Sequence, residues 1–154
     1  MGKINRELRT SRSEVFNKLQ QEAKETFGET NDCTVKALAV CGGIPYAEAH
    51  SMLAQRGRKN GKGAYTHDIV NSLKAMGKTV KMVDPRSFID CYPKAHRVLK
   101  SVTSHHMDRF NKVWSNGKTY LCFTTNHVFA VVDGVNHDWT RGRAMQVVLI
   151  YEII

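Results

Sequence analysis

The sequence has few of the features that assign a small protein to a class at once. Only 3 of its 154 residues are proline, and 42% are apolar, a composition typical of globular rather than disordered chains. No apolar run approaches the roughly 20 residues that a membrane-spanning helix needs. The first residues lack the apolar segment of a secretory signal. These absences predict a globular cytoplasmic protein that is not associated with a membrane.

Metal-binding and disulfide patterns are also missing. The 4 cysteines show no Cys-x-x-Cys spacing and no close histidine partners, which argues against a zinc site. Cys33 and Cys41 would lie on one helix about 12 Å apart, at a rise of about 1.5 Å per residue, too far for a disulfide. We therefore expect free thiols in a reducing compartment, with no metal and no cofactor.

Acidic residues are scarce, with 14 Asp and Glu against 23 Lys and Arg and a formal net charge of +9. Such a charge attracts acidic partners. The basic residues are scattered, with local clusters at residues 3–12, 56–62 and 141–143, and neither a zinc finger nor an aromatic-interleaved ribonucleoprotein motif accompanies them. The pattern favours a solvated basic surface. It leaves open an acidic protein partner, or nucleic-acid contact without sequence preference.

The first half of the chain predicts helices. Residues 1–10 are polar and basic and predict a flexible arm, followed by a single domain over residues 11–154. Ser11 to Glu14 match a capping box, in which the serine and the glutamate each satisfy a backbone N–H. Helical spacing of apolar residues and terminal glycines then predict four helices, over residues 14–28, 33–40, 44–57 and 66–77.

The second half predicts strands. They are expected over residues 79–83, 118–124, 127–132, 135–139 and 146–153. Between the first two, Val98, Leu99 and Val102 suggest a helix, and residues 107–114 another. Helices first and an antiparallel sheet afterwards make an α+β arrangement.

The most informative residue is Cys33, which opens the second predicted helix after a polar loop. Unpaired N–H groups and the dipole at a helix N-terminus favour negative charge, and the thiolate is the reactive form of cysteine. The other cysteines lack this setting, and Cys122 lies in an apolar strand where a core position is expected. Cys33 is therefore the candidate nucleophile.

A histidine that opens a predicted strand supplies the candidate base. His127 could take the proton of the thiol and later hand it to a leaving group. Asp138 lies on the next predicted strand after a tight turn, where a hairpin would bring its carboxylate within reach of the ring to orient it. His137 is the alternative base, and Asp133 and Asn136 are the alternative orienting groups.

Three segments carry a resemblance to a known family: residues 31–39 around Cys33, the helix start at residues 44–49, and residues 126–138. They resemble papain-fold cysteine peptidases, most closely the compact bacterial and phage branch related to peptidases that process bacteriocin leaders. The resemblance implies N-terminal helices packed on a C-terminal antiparallel sheet. It also implies a protein or peptide substrate, Cys33 as nucleophile, His127 as general base and acid, and Asp138 as the orienting group.

The chain departs from that family at one position. The peptidases usually carry a glutamine about six residues before the nucleophile, and its amide donates to the oxyanion of the reaction. Phe27 stands there in this chain, and the nearest glutamines, Gln20 and Gln21, lie inside the first predicted helix. We expect Asn31, together with the backbone N–H of Cys33, to serve instead.

Three functions remain open at this point. The first is a cysteine hydrolase that cleaves a peptide or isopeptide bond through a Cys-His-Asp triad, in a bacterial or phage-infected cytoplasm. The second is an inactive papain-like binding protein, such as a phage host-takeover factor, that engages an acidic protein or nucleic acid; Phe27 fits this alternative. The third is a transamidase or deamidase, since the same thioester intermediate serves all these reactions.

Overall fold

The computed structural model describes residues 13–89, 91–92, 102–138 and 145–154 of the chain. The predicted arm over residues 1–10 lies outside the described residues. So do Val98 and Leu99, two of the three residues on which a helix was predicted.

The first helix carries its own cap. Helix α1 spans Glu14–Glu22 and continues as a π-helical segment over Ala23–Phe27, which ends where Gly28 takes a left-handed φ of 61°. The N-cap is Ser13, whose hydroxyl oxygen accepts a backbone N–H at 3.1 Å. The prediction that the cap begins at Ser11 was therefore wrong in position.

Three more helices lie at the predicted places: α2, Cys33–Gly42; α3, Tyr46–Gln55; and α4, Thr66–Ala75. Helix α2 packs against α1, α3, α4 and the sheet, so most of its residues are buried. Its single charged side chain is Lys36. A central helix of this kind holds its first residue, Cys33, in a fixed position relative to its neighbours.

Within the described residues, the strands form one five-stranded antiparallel sheet and one small two-stranded sheet. Their bounds are β1, Val80–Val83; β2, Val102–Thr103; β3, Thr119–Phe123; β4, Val128–Val132; β5, Val135–Asn136; β6, Gln146–Val147; and β7, Leu149–Ile153. The order in the large sheet is β1-β7-β3-β4-β5, so the last strand of the chain lies between β1 and β3.

Two predictions fail in this region. The single strand expected over residues 146–153 is divided at Val148, whose N–H donates to the carbonyl of Phe123 at 2.8 Å. Strand β6 pairs instead with β2, where Val102 lies opposite Val147. Val102 was expected in a helix; it lies in a strand because cross-strand pairing with a distant segment outweighs its local context.

Apolar cores cover both faces of the large sheet. Leu121 of β3 and Ala130 of β4 belong to the core under helices α2 to α4, whereas their neighbours Cys122 and Phe129 belong to the core on the opposite face. Strands buried on both faces carry nearly continuous apolar runs, as β4 and the last four residues of β3 do.

Short helices help to close the second face: α5, Arg86–Ile89; α6, Ser104–Arg109; and α7, Asn111–Trp114. The helix predicted over residues 107–114 is thus two short ones. Trp114, fully buried, stacks on Phe88 with ring centroids 3.8 Å apart. The chain is an α+β protein, as its pattern of helices followed by strands predicts.

Candidate active site

Cys33 lies half-buried at the start of α2, at the edge of a pocket of about 260 Å³. We call this the polar pocket; its principal lining residues are Gln20, Asp32, Cys33, Lys36, His127 and Asp138. The other cysteines lie in different surroundings. Burial raises the pKa of Cys41 to about 12 and that of Cys122 well above its ordinary value, while Cys91 is exposed.

His127 immediately precedes β4 and is held by the turn that leads into it. Its carbonyl oxygen accepts hydrogen bonds from the N–H of Thr124 at 2.8 Å and from the Thr124 hydroxyl at 3.3 Å. The ring is buried, and its Nε2 lies 2.7 Å from Oδ2 of Asp138. The Nδ1 is therefore the ring nitrogen left for the thiol of Cys33.

The ring of His127 is a strong base in this position. Burial alone would lower its pKa, but hydrogen bonds to Asp138 and to Cys33, with the charges of those two groups, raise the pKa from 6.5 to about 9. The raised pKa favours the imidazolium form of the ring, which lies between the carboxylate of Asp138 and the sulfur of Cys33.

Asp138 reaches the ring because of the β4–β5 hairpin. Val131 lies opposite Asn136, and beyond that pair the N–H of His137 donates to the carbonyl of Ala130 at 2.9 Å. The chain thus runs back along β4 toward its first residue, where Asp138 is 3% exposed. Asp138 lies just past the end of β5, not on the strand as predicted, but the predicted approach to the ring is present.

The alternative base and orienting groups have other contacts. Nδ1 of His137 forms a hydrogen bond with the hydroxyl of Ser13, and burial lowers the pKa of this histidine. Asp133 accepts the N–H of Gly117 at 2.8 Å in the turn. Asn136 is buried in β5. None of the three alternatives lines the polar pocket.

Gln20 and Lys36 are among the residues of the polar pocket that the sequence analysis did not predict as site residues. The ammonium of Lys36 donates to the amide oxygen of Gln20 and lies 2.8 Å from Oδ1 of Asp32. The other carboxylate oxygen of Asp32 accepts the hydroxyl of Tyr46 at 2.7 Å. This buried chain of contacts occupies the amide oxygen of Gln20, so its NH₂ group is the part able to donate to a ligand.

A signal for both residues was present in the sequence. Gln20 follows Phe16 by one helical turn, so a polar side chain adjoins the apolar stripe of α1. Lys36 is the one charge in an otherwise apolar helix, and a buried lysine requires a partner.

Asn31 lies at the pocket, but its amide has another partner. The side-chain NH₂ donates to the carbonyl of Gly61 at 3.4 Å. The loop around it is held by Glu29, which accepts Arg58 Nη1 and the N–H of Gly61, both at 2.6 Å. Although burial raises the pKa of the Glu29 carboxyl, these hydrogen bonds and the charge of Arg58 hold it below the ordinary value. The loop before Cys33 is thus tied to residues 58–61.

Phe27, at the position where a glutamine was expected, has a packing role. Its ring centroid lies 5.1 Å from that of Tyr46 and 4.6 Å from that of His50. It joins the core beneath the helices. Its place in a π-helical segment changes the register between α1 and Cys33, so spacing along the sequence does not show which glutamine lines the pocket beside Cys33.

A second depression, of about 360 Å³, borders Cys33 and His127. We call it the open groove; its apolar walls are Ala64, Phe123, Val128, Val148 and Leu149. Strand β7 contributes to it only because that strand lies beside β3. Cys33 and His127 therefore border both the polar pocket and the open groove.

In the part of the chain that the structure describes, no group of three or more His, Cys, Asp or Glu could hold a metal ion. No helix in those same residues is both long and apolar enough to cross a membrane. No protein-family model, no curated protein and no solved structure matches the chain.

Proposed function

We propose that this protein is a papain-like cysteine hydrolase that cleaves a peptide or isopeptide bond with Cys33, His127 and Asp138. The observation that carries the proposal is the arrangement of the three side chains: Cys33, His127 and Asp138 line one pocket, and Nε2 of His127 lies 2.7 Å from Oδ2 of Asp138. The raised pKa of His127, to which Cys33 contributes, agrees with this arrangement. An imidazolium next to a thiol can pair with the thiolate, which is the nucleophile.

The reaction takes place in two halves. The thiolate of Cys33 attacks the carbonyl carbon, and the tetrahedral intermediate collapses when the leaving amine takes the proton of His127. The resulting thioester is attacked by water, whose proton passes to His127. Collapse of the second intermediate releases the acid and restores the thiolate beside the imidazolium.

Gln20 is the side chain we assign to the oxyanion, together with the backbone N–H of Cys33. Asn31 is the weaker candidate because its amide donates to Gly61. Lys36 polarises the amide of Gln20 by binding its oxygen. An oxyanion donor of this kind typically raises the rate of acyl transfer by a factor of about 10²–10³.

The order of the three residues supports the papain-like assignment. Cys33 opens a central helix, His127 enters a strand, and Asp138 follows the next strand, in that order along the chain. The helices precede an antiparallel sheet, with the nucleophile where the two layers meet.

Alkylation by iodoacetamide, followed by peptide mass spectrometry, tests the central pair. At about pH 6 we expect Cys33 to react faster than exposed Cys91 in the same molecules, because the imidazolium stabilises the thiolate. His127→Ala should slow the labelling of Cys33 but not of Cys91. The matched control is His67→Ala, since that side chain is 71% exposed and lines neither the polar pocket nor the open groove.

Equal labelling of Cys33 and Cys91 in the parent protein would exclude an activated thiol and favour the binding-protein alternative. Digestion of a peptide mixture, with Cys33→Ala as the inactive control, then identifies the reaction. Cleaved products indicate hydrolysis, whereas amide-to-acid conversion or amine incorporation indicates the deamidase or transamidase alternative.

A further inference from the structure

Next to the open groove lies a surface that carries exposed positive charge. A shallow depression beside it is lined by Gly57, Lys59, Lys62, Gly63, Ala64 and Tyr65. We call this the basic shelf. Gly63 and Ala64 line both the groove and the shelf, so the shelf adjoins the groove. We call the groove and the shelf together the channel.

The charges on the shelf have no protein partner among the residues that the structure describes. The segment from residue 56 to 62 contains four basic residues and no acidic one. Arg58 is turned inward to Glu29. Arg56, Lys59 and Lys62 are exposed, and none of them forms an ion pair within the described part of the chain. Their charge is therefore available to a ligand.

Exposed apolar side chains also line this channel. Tyr65 is 74% exposed and stacks against His67 with ring centroids 5.4 Å apart and an interplanar angle of 8°. Val148, on a wall of the open groove, is 52% exposed. Large apolar side chains exposed beside a cleft are typical of surfaces that a partner covers.

We infer that the channel binds an extended acidic polypeptide, with an apolar side chain in the open groove next to the scissile bond and Asp or Glu residues on the basic shelf. This inference rests on the proposed function and names its substrate class. A polypeptide fits better than nucleic acid, because no lysine or arginine lines the described part of the groove. A strand with a phosphate at every nucleotide would lack partners there.

Fluorescence anisotropy with Cys33→Ala protein tests the inference without turnover. The probes are two short labelled peptides with the same apolar centre, one flanked by Asp and Glu and the other by Asn and Gln. At about 50 mM salt we expect the acidic peptide to bind about three- to tenfold more tightly, and the preference to shrink at high salt.

A charge-matched pair of variants locates the effect. Lys59→Gln combined with Lys62→Gln should remove most of the preference for the acidic peptide. Lys74→Gln combined with Lys112→Gln removes the same charge from exposed positions outside the channel and should preserve the preference. Circular dichroism checks that both double variants are folded.

Equal binding of the two peptides, or an equal loss in both double variants, would overturn the inference. So would tighter binding of labelled oligothymidine than of the acidic peptide, if Lys59 and Lys62 carried it. Cys33 alkylation is measured separately. An activated thiol without acidic preference would refute only this inference, whereas acidic preference without activation would refute only the catalytic proposal.

Discussion

The two sides of the Cys33–His127 pair are built in different ways. On the side of the polar pocket, charged groups are buried and each has a partner, as in the contacts from Gln20 through Lys36 to Asp32. On the side of the open groove, no lysine, arginine or carboxylate lines the described walls, and the charges beyond it at Lys59 and Lys62 are exposed.

This difference separates two tasks. A buried network loses a great deal if one member is removed, so it holds its groups in one geometry, as chemistry requires. Exposed lysines contribute little to folding and lose little when they rearrange around a ligand. We interpret the polar pocket as the part of the site that would catalyse bond cleavage, and the open groove with the basic shelf as the part that would bind and select the substrate.

The largest effect on activity is expected from the polar pocket. Gln20→Ala should lower kcat for a cleaved peptide by about 10²–10³, because a donor to the oxyanion is lost. Gln21→Ala, its exposed neighbour, should have no such effect. Alkylation of Cys33 by iodoacetamide should stay unchanged in Gln20→Ala, since that reaction forms no oxyanion. Slower alkylation would instead indicate a displaced thiol.

The second contrast compares a buried arginine with an exposed one. Arg58→Met leaves the carboxylate of Glu29 buried without its main partner, and we expect a loss of about 3 kcal/mol in the free energy of unfolding. Arg56→Met should cost less than about 0.5 kcal/mol. Urea unfolding measures both. A similar loss in the two variants would show that the Glu29 pair does not hold the loop.

The third contrast concerns the charge on His127. Asp138→Asn should lower the pKa of the ring from about 9 toward 6.5, as followed by NMR titration of the ring protons. Because the pKa of the folded state is the higher one, the stabilisation is complete below about pH 6.5 and is lost as the pH rises through 9. Stability of the parent should therefore fall over that window, and that of Asp138→Asn should fall less.

The control for this titration is Asp133→Asn, which removes a carboxylate from the neighbouring turn. It should leave the His127 titration unchanged. A shift as large as that of Asp138→Asn would mean that overall charge, and not the 2.7 Å contact, sets the protonation of the ring.

The smallest effect is expected on the groove side. Val148→Ala should raise the KM of a cleaved peptide about two- to threefold and leave kcat unchanged, because only apolar contact area is lost. Val135→Ala is the matched control, since Val135 is a similarly exposed valine on β5. A fall in kcat for Val148→Ala would show that the groove also positions the reacting bond.

Contacts of the site could be predicted from the sequence only between residues that lie close together along the chain. The approach of Asp138 to His127 could be predicted, because a hairpin fixes neighbours through a single turn. The contact between Gln20 and Lys36 could not, since it joins two helices whose packing angle and register the pattern does not encode. The π-helical segment before Gly28 adds to that uncertainty.

Asn31 illustrates the same limit. Its place two residues before Cys33 made it the nearest amide along the sequence. In the structure its side-chain NH₂ donates to the carbonyl of Gly61, which lies thirty residues later in the chain. Proximity in sequence therefore placed Asn31 at the pocket but did not show which partner its side chain takes.

The sequence by itself determined the local features: the helices and where most of them end, the cysteine at a helix start, and the hairpin that carries the histidine and the aspartate. These follow from short-range periodicity, caps and turns. Only the tertiary structure decided that β7 lies between β1 and β3, that Val148 divides the last strand, and that Gln20 lines the same pocket as Cys33. Such choices depend on which distant apolar faces pack together, and the burial that decides them exists only once the chain has folded.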